Sequence, residues 1–287
     1  MNDGTPSQTA LTAAAARAAH LIVDDDPPIF SDPLAYPLLG EQAEELVGYH
    51  RAHGGHVVLA GARAAVSTRG RHTEDRLAEA VRRGTTQYVI LGAGLDTFAY
   101  RPDLAGAVGV FEVDHPATQR WKRRLLGDAG VAVPGSVAFV PVDFETDSLV
   151  DELVRHGFDP DRPAFVGWLG VTMYLTREAI GRTLAVVGGF APGTELVVEY
   201  LVPESLRDAA GQTYAELVAP VAAERGEPWL TFLDPGEMSA LLAKAGFATA
   251  RHVRQREAID AALWRRSDSL RPSELSRLAH ATVRGPG

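Results

Sequence analysis

The sequence predicts an α/β fold built on a doubly wound, mostly parallel sheet, and three observations carry that expectation. Short apolar, β-prone runs alternate with helical stretches at regular spacing between residues 87 and 201, the pattern of parallel strands covered on both faces. The first run, Tyr88-Val89-Ile90-Leu91, breaks abruptly into Gly92-Ala93-Gly94. The second, Val108 to Asp114, ends in acids and places Asp114 twenty residues after Gly94. A glycine turn at the carboxyl end of one strand and a carboxylate at the end of the next are the parts from which this architecture builds a cofactor site.

Bulk properties agree with that class. A chain of 287 residues with 46% hydrophobic and 23% charged content can bury one core with an appended cap. A net charge of -9 and a pI near 5.5 oppose a general nucleic-acid or anionic-membrane surface, and Arg120 to Arg124 reads as the solvated face of a helix. The sequence has no cysteine, which excludes disulfides, thiolate metal sites and cysteine nucleophiles. The alanine-rich start lacks a basic n-region before an apolar core, and nowhere do eighteen apolar residues run together. The expectation is a cytoplasmic protein with no nucleic-acid or membrane partner.

Taken in order, Thr9 to Val23 predicts a mobile alanine-rich helix, and Asp24-Asp25-Asp26-Pro27-Pro28 a solvated turn that ends it. Ser31-Asp32-Pro33 reads as an N-cap leading into a helix over Leu34 to Leu39, with a second helix over Gln42 to Tyr49. His50, His53 and His56 are spaced like zinc ligands, but Gly54-Gly55 breaks the helix between the second and third and no supporting carboxylate motif follows, so no metal is expected. Val57 to Val81 is helical with an interruption near Ser67 to Arg71, where Arg69 and Arg71 either face solvent or send one guanidinium to a carboxylate in the pocket. Residues 1–80 therefore form a helical cap or lid, and residues 81–287 the core.

Within the core, Gly92, Ala93 and Gly94 let a ligand approach the backbone closely. Asp114 is the acceptor for ribose hydroxyls; Glu112 competes, but alternation puts both on one face and Asp114 lies nearer the strand's end. A helix over Pro116 to Leu126 leads to a third strand, Val137 to Val142, with Asp143 and Phe144 just past its end, where an acid can meet an adenine amino group and a ring can stack; a helix-capping role explains Asp143 nearly as well. After a helix over Asp147 to His156 comes strand four, Ala164 to Trp168, and the loop Leu169 to Leu175. Thr176 caps the next helix, and Glu195 to Leu201 is strand five. Residues 203–229 interrupt the alternation as an inserted cap over the carboxyl edge. Asp234 to Ala245 is a capped helix, Phe247 to Val253 an edge strand, and Glu257 to Trp264 and Ser273 to Thr282 read as terminal helices.

The run ILGAGLDTFAYR, then FEVDHP, VDF and WLGVTMYLT, resembles the leucine carboxyl methyltransferase-like family of S-adenosylmethionine-dependent O-methyltransferases over roughly Asp32 to Leu201, including bacterial enzymes acting on polyketides and other small natural products. The resemblance implies a class I methyltransferase fold, a mostly parallel Rossmann-like sheet with an antiparallel last strand. It implies S-adenosylmethionine as cofactor, its amino-acid end at Gly92 and Arg69, its ribose at Asp114 and its adenine at Asp143 and Phe144. Two positions depart from the family pattern: Phe98, where many relatives have arginine, and Leu169-Gly170, where many have an acidic residue before glycine. A carboxylate acceptor needs no base; for a hydroxyl acceptor, Tyr174, His72 and His115 are the candidates within the motif segments. A nicotinamide dehydrogenase is the rival from another class, but Thr97 occupies the fingerprint's third glycine position. A non-methylating binder or cyclase on the same fold is the second alternative.

Overall fold

The computed structural model describes residues 7–143 and 147–285. Among these residues, seven strands form one sheet in the order β3-β2-β1-β4-β5-β7-β6. In chain order they are β1 (Gln87–Leu91), β2 (Gly109–Asp114), β3 (Val137–Pro141), β4 (Phe165–Trp168), β5 (Glu195–Leu201), β6 (Phe247–Arg254) and β7 (Ser276–Val283). The first five pair in parallel, and β7 runs antiparallel to both β5 and β6.

All five residues of β1 are buried, and alternation splits them between two cores: Val89 and Leu91 join one apolar cluster, Tyr88 and Ile90 the other. A strand buried on both faces needs an unbroken apolar run, which is what QYVIL nearly supplies. The winding reverses at β1, which has β2 on one side and β4 on the other. Such a reversal opens a crevice at the carboxyl ends of the strands.

The helices are α1 (Gln8–Val23), α2 (Ala43–His53), α3 (Val57–Arg82), α4 (Pro102–Ala105), α5 (Pro116–Asp128), α6 (Leu149–Arg155), α7 (Arg177–Gly188), α8 (Ala209–Glu224) and α9 (Pro235–Lys244). Helix α7 shows how they attach. Thr176 Oγ1 caps it by accepting from Ala179 N at 3.2 Å, and Ile180, Leu184 and Val187, spaced four and three apart, bury one face against the sheet. Each such side chain contributes about 1.5–3 kcal/mol on burial. Asp234 and Glu237 form a reciprocal capping box at the start of α9. Among the described residues, no helix is long and apolar enough to cross a membrane.

Several local expectations are corrected. Helix α1 is packed rather than mobile: Ala14, Ala15, Ala18 and Ala19 are buried with Leu39, Ala43, Val47 and Leu95, because small side chains let the helix approach its neighbours closely. Asp24 is not in a solvated turn. It accepts from Arg63 Nε at 2.8 Å and Nη2 at 2.9 Å, with His20 Nδ1 at 2.9 Å, and its side chain is 1% exposed. Helix α3 runs without interruption because Gly70 sits against the Phe30 ring, where an added Cβ would lie 3.1 Å from a ring carbon, and Ser67, Thr68 and Thr73 are buried. Pro37–Gln42 is a 3-10 segment with Gly40 in the left-handed region, instead of an α-helix over Leu34 to Leu39. Lys122, within the supposedly solvated run, is buried and pairs with Glu112 at 2.7 Å.

The largest difference lies at the end of the chain. The segment Glu257 to Trp264 contributes only 3-10 turns, and Ser273 to Thr282 is no helix: it supplies β7, wedged between β5 and β6. Leu278 faces one apolar cluster and Ala279, Ala281 and Val283 the other, so pairing on both edges overrides the helix propensity of its alanines. That strand completes the antiparallel end that the family resemblance implied.

Candidate cofactor and acceptor site

A cavity of about 470 Å³ opens at the crevice, within the size range of small-molecule sites. The Gly92–Gly94 loop forms part of its wall, and it is pinned from below: the amides of Gly92 and Ala93 both donate to Val113 O, at 2.8 and 3.0 Å. Gly92 has φ 69° and Gly94 φ 45°, conformations that L side chains rarely adopt. Neighbours close in as well. A Cβ on Gly92 would lie 2.4 Å from Val171 Cγ2, and one on Gly94 would lie 3.0 Å from Ala10 Cβ on α1.

Asp114 reaches the same loop. Its Oδ2 accepts from Gly94 N at 2.5 Å and its Oδ1 from His115 N at 2.7 Å, and it lines the cavity while only 7% exposed. Burial pushes its carboxyl above the usual range, against the pull of those two amides. Glu112 is not available to a ligand, because Lys122 and the Tyr100 hydroxyl hold it at 2.7 and 3.0 Å in the core. Asp143 lines the cavity beyond β3, its amide donating to Asp147 Oδ2 at 2.9 Å; Phe144 lies outside the described residues.

Arg69 also lines the cavity, whereas Arg71 turns away to Asp75. Arg69 Nη1 donates to Glu199 Oε2 at 2.7 Å, and the same oxygen accepts from Gly170 N at 2.9 Å. Glu199 thereby ties α3 to the loop after β4.

Of the three candidate bases, Tyr174 and His115 line the cavity. Burial pushes the Tyr174 hydroxyl up, so it stays a neutral phenol at neutral pH. His115 Nδ1 accepts from Ala117 N at 3.2 Å as the cap of α5, so that nitrogen is already committed. His72 is withdrawn: it does not line the cavity, because its ring turns toward the C-terminal region, where Nδ1 lies 2.9 Å from Ala258 O.

Other groups in the wall escaped the sequence reading. Asp32, taken for a helix cap, does accept from Ala35 N at 3.1 Å, but it also holds Arg17 Nε at 2.7 Å and Thr97 Oγ1 at 2.6 Å. Arg101 is paired with Glu74 and lies over the Phe30 ring at 5.1 Å. Glu227, in the loop after α8, binds Ser7 Oγ at 2.8 Å, Thr9 N at 3.2 Å and the Thr9 hydroxyl, joining segments some 220 residues apart. No local signal marks Glu227; the Asp32 network was foreshadowed only by the SDP cap.

With that geometry in view, the family model for leucine carboxyl methyltransferase matches residues 10–188, more than half of the chain. The chain belongs to the leucine carboxyl methyltransferase family. It is 37% identical over 201 residues to the Bacillus subtilis protein named "Putative S-adenosyl-L-methionine-dependent methyltransferase YktD", an alignment spanning 69% of this chain and 66% of YktD. A similarly named protein from Mycolicibacterium smegmatis is 35% identical over 53% of this chain and 51% of its own length. The chain thus spans just under two thirds of the first of these relatives and about half of the second. Among solved structures, a protein from Thermobifida fusca titled a putative methyltransferase superposes with a TM-score of 0.62 at 18% identity, covering 99% of this chain and 97% of that one, a likeness of fold. A Streptomyces avermitilis protein gives a TM-score of 0.59 at 18% identity over 94% of this chain and 97% of its own.

The names of the two relatives specify S-adenosyl-L-methionine, and the residues present here suit that cofactor. The Asp114 carboxylate, at the cavity wall, uses one lone pair on each oxygen for a backbone amide and keeps acceptor capacity on both for a diol. The wall of the family's site here also contains the Arg69 guanidinium for a carboxylate and Asp143 for an exocyclic amine.

Proposed function

We propose that this chain is an S-adenosylmethionine-dependent O-methyltransferase that acts on a carboxylate or hydroxyl of a small molecule, such as a bacterial secondary metabolite. The carrying observation is the Asp114 carboxylate, buried at the end of β2, bonded to the Gly94 amide and open to the cavity. In this reading Arg69 and Gly92 hold the cofactor's amino-acid end, Asp114 both ribose hydroxyls, and Asp143 the adenine. When bound, S-adenosylmethionine would supply a methyl group activated by a sulfonium; a hydroxyl acceptor would release its proton to solvent on methylation, and a carboxylate would have none to release.

The chain's own contribution is to position and to enclose. Residues 1–80 and the insertion at 203–229 act as caps: the start of α1 and the Gly226–Pro228 loop both line the cavity, and Glu227 joins them. Holding reactants in line and excluding water supplies much of the rate in such a displacement. In this reading Tyr174, which lines the cavity, faces the acceptor, and its neutral hydroxyl donates to or accepts from an acceptor oxygen.

Calorimetry with S-adenosylhomocysteine tests the reading. Saturable binding is expected, weakened roughly 10- to 100-fold in Asp114→Asn, the loss of about 1.5–3 kcal/mol that attends removal of charge-assisted hydrogen bonds. Saturable binding of NAD with none of S-adenosylhomocysteine would overturn it.

A further inference from the structure

The charge balance of the cavity wall bears on which acceptor it admits. Among the described residues, each arginine lining it faces a carboxylate, Arg17 with Asp32 at 2.7 Å, Arg69 with Glu199 at 2.7 Å and Arg101 with Glu74, and Arg69 is further committed to the cofactor's carboxylate in the reading above, so none is left over for an anionic acceptor. Among the described residues, no lysine lines the cavity. Three further acids in the wall, Asp96, Asp114 and Glu227, have no cationic side chain within ion-pair distance among the described residues. A cofactor of net positive charge suits that surplus. An anionic acceptor does not.

Glu227 is the acid best placed to act on the acceptor. It shares its stretch of wall with Tyr174, Ser7 and Thr9, and its partners are a serine hydroxyl, a threonine hydroxyl and an amide, all neutral. Removing a carboxylate from water costs several kcal/mol unless a cation meets it. Here a carboxylate would meet a second carboxylate instead, whereas an alcohol or phenol can donate to Glu227 in place of Thr9 or Ser7.

Resting on the methyltransferase reading above, we propose that the acceptor is an uncharged hydroxy compound, an alcohol or a phenol, and that Glu227 determines specificity by rejecting carboxylates. The family's namesake chemistry, carboxyl methylation, is on this view not that of this chain.

The test uses the full chain saturated with S-adenosylhomocysteine and three probes of matched shape: benzyl alcohol, phenol and benzoate, each titrated by ligand-observed NMR. The neutral probes are expected to bind at least about tenfold more tightly than benzoate, and Glu227→Gln to narrow the ratio to within about threefold by strengthening benzoate. Glu227→Gln keeps the hydrogen-bonding shape, and retained S-adenosylhomocysteine affinity shows that the variant is folded. Benzoate binding as tightly as the alcohols, a ratio unchanged by Glu227→Gln, or no binding of any probe to the loaded protein would each overturn the proposal. Failure of S-adenosylhomocysteine itself to bind would instead overturn the functional reading on which the proposal rests.

Discussion

Replacing Gly92 with alanine separates two costs that the cavity loop imposes at one position. At φ 69° an L-residue costs roughly 1–2 kcal/mol. The new Cβ would stand 2.4 Å from Val171 Cγ2 and 3.5 Å from Val171 Cβ and Cγ1, and overpacking of that kind costs roughly 1–3 kcal/mol. Together Gly92→Ala should lose about 2–5 kcal/mol, read as lower stability in urea and weaker S-adenosylhomocysteine binding by calorimetry. Val171→Ala in the same chain removes the obstructing methyl groups without changing the backbone requirement. The double variant should therefore recover the steric part and retain a deficit of about 1–2 kcal/mol. A Gly92→Ala protein of unchanged stability and affinity refutes the argument, as does a double variant no better than the single one.

The other expectations concern the acceptor wall and the buried charges. If Tyr174 contacts the acceptor, Tyr174→Phe should raise KM for the acceptor several-fold without changing S-adenosylhomocysteine affinity; turnover and acceptor affinity unchanged in both Tyr174→Phe and Tyr174→Ala would remove it from the site. Lys122→Met leaves Glu112 buried without its cation and should cost about 3–5 kcal/mol in denaturation, so a loss below about 1 kcal/mol would show the pair to be dispensable. Burial first, and then the Arg63 charge, lower the His50 imidazole from 6.5 to about 4. Between those values the unfolded chain binds a proton that the folded chain refuses, so this group removes up to about 3 kcal/mol of stability as pH falls from 6.5 to 4. His50→Gln should flatten that part of the stability profile; an unchanged slope would exclude His50 as its source.

What the sequence disclosed was local or periodic. The β1–β2 unit with its glycine loop and Asp114 is contiguous, its signals lie within thirty residues, and the structure brings them together as the pattern requires. The Thr176 and Asp234 caps are likewise written in the turn they close. Asp24 looked solvated because its partner Arg63 lies 39 residues away in another helix. Arg69 remained ambiguous until β5 supplied Glu199, 130 residues later. The alanines of β7 favour a helix taken alone, and only the two strands on either side reverse that preference. Long-range pairing leaves no mark in the local sequence at any of the three.

The placement of β7 between β5 and β6 also has a temporal meaning. Synthesis delivers residues 247–254 before residues 276–283, yet among the described residues β6 pairs in the sheet only with β7. A nascent chain halted before Ser276 carries β5 with an open edge and β6 with no neighbour, both ready to pair with another chain. A chain that ends in this region exposes strand edges that β7 covers in the full chain, and the sheet closes once residues 276–283 are in place.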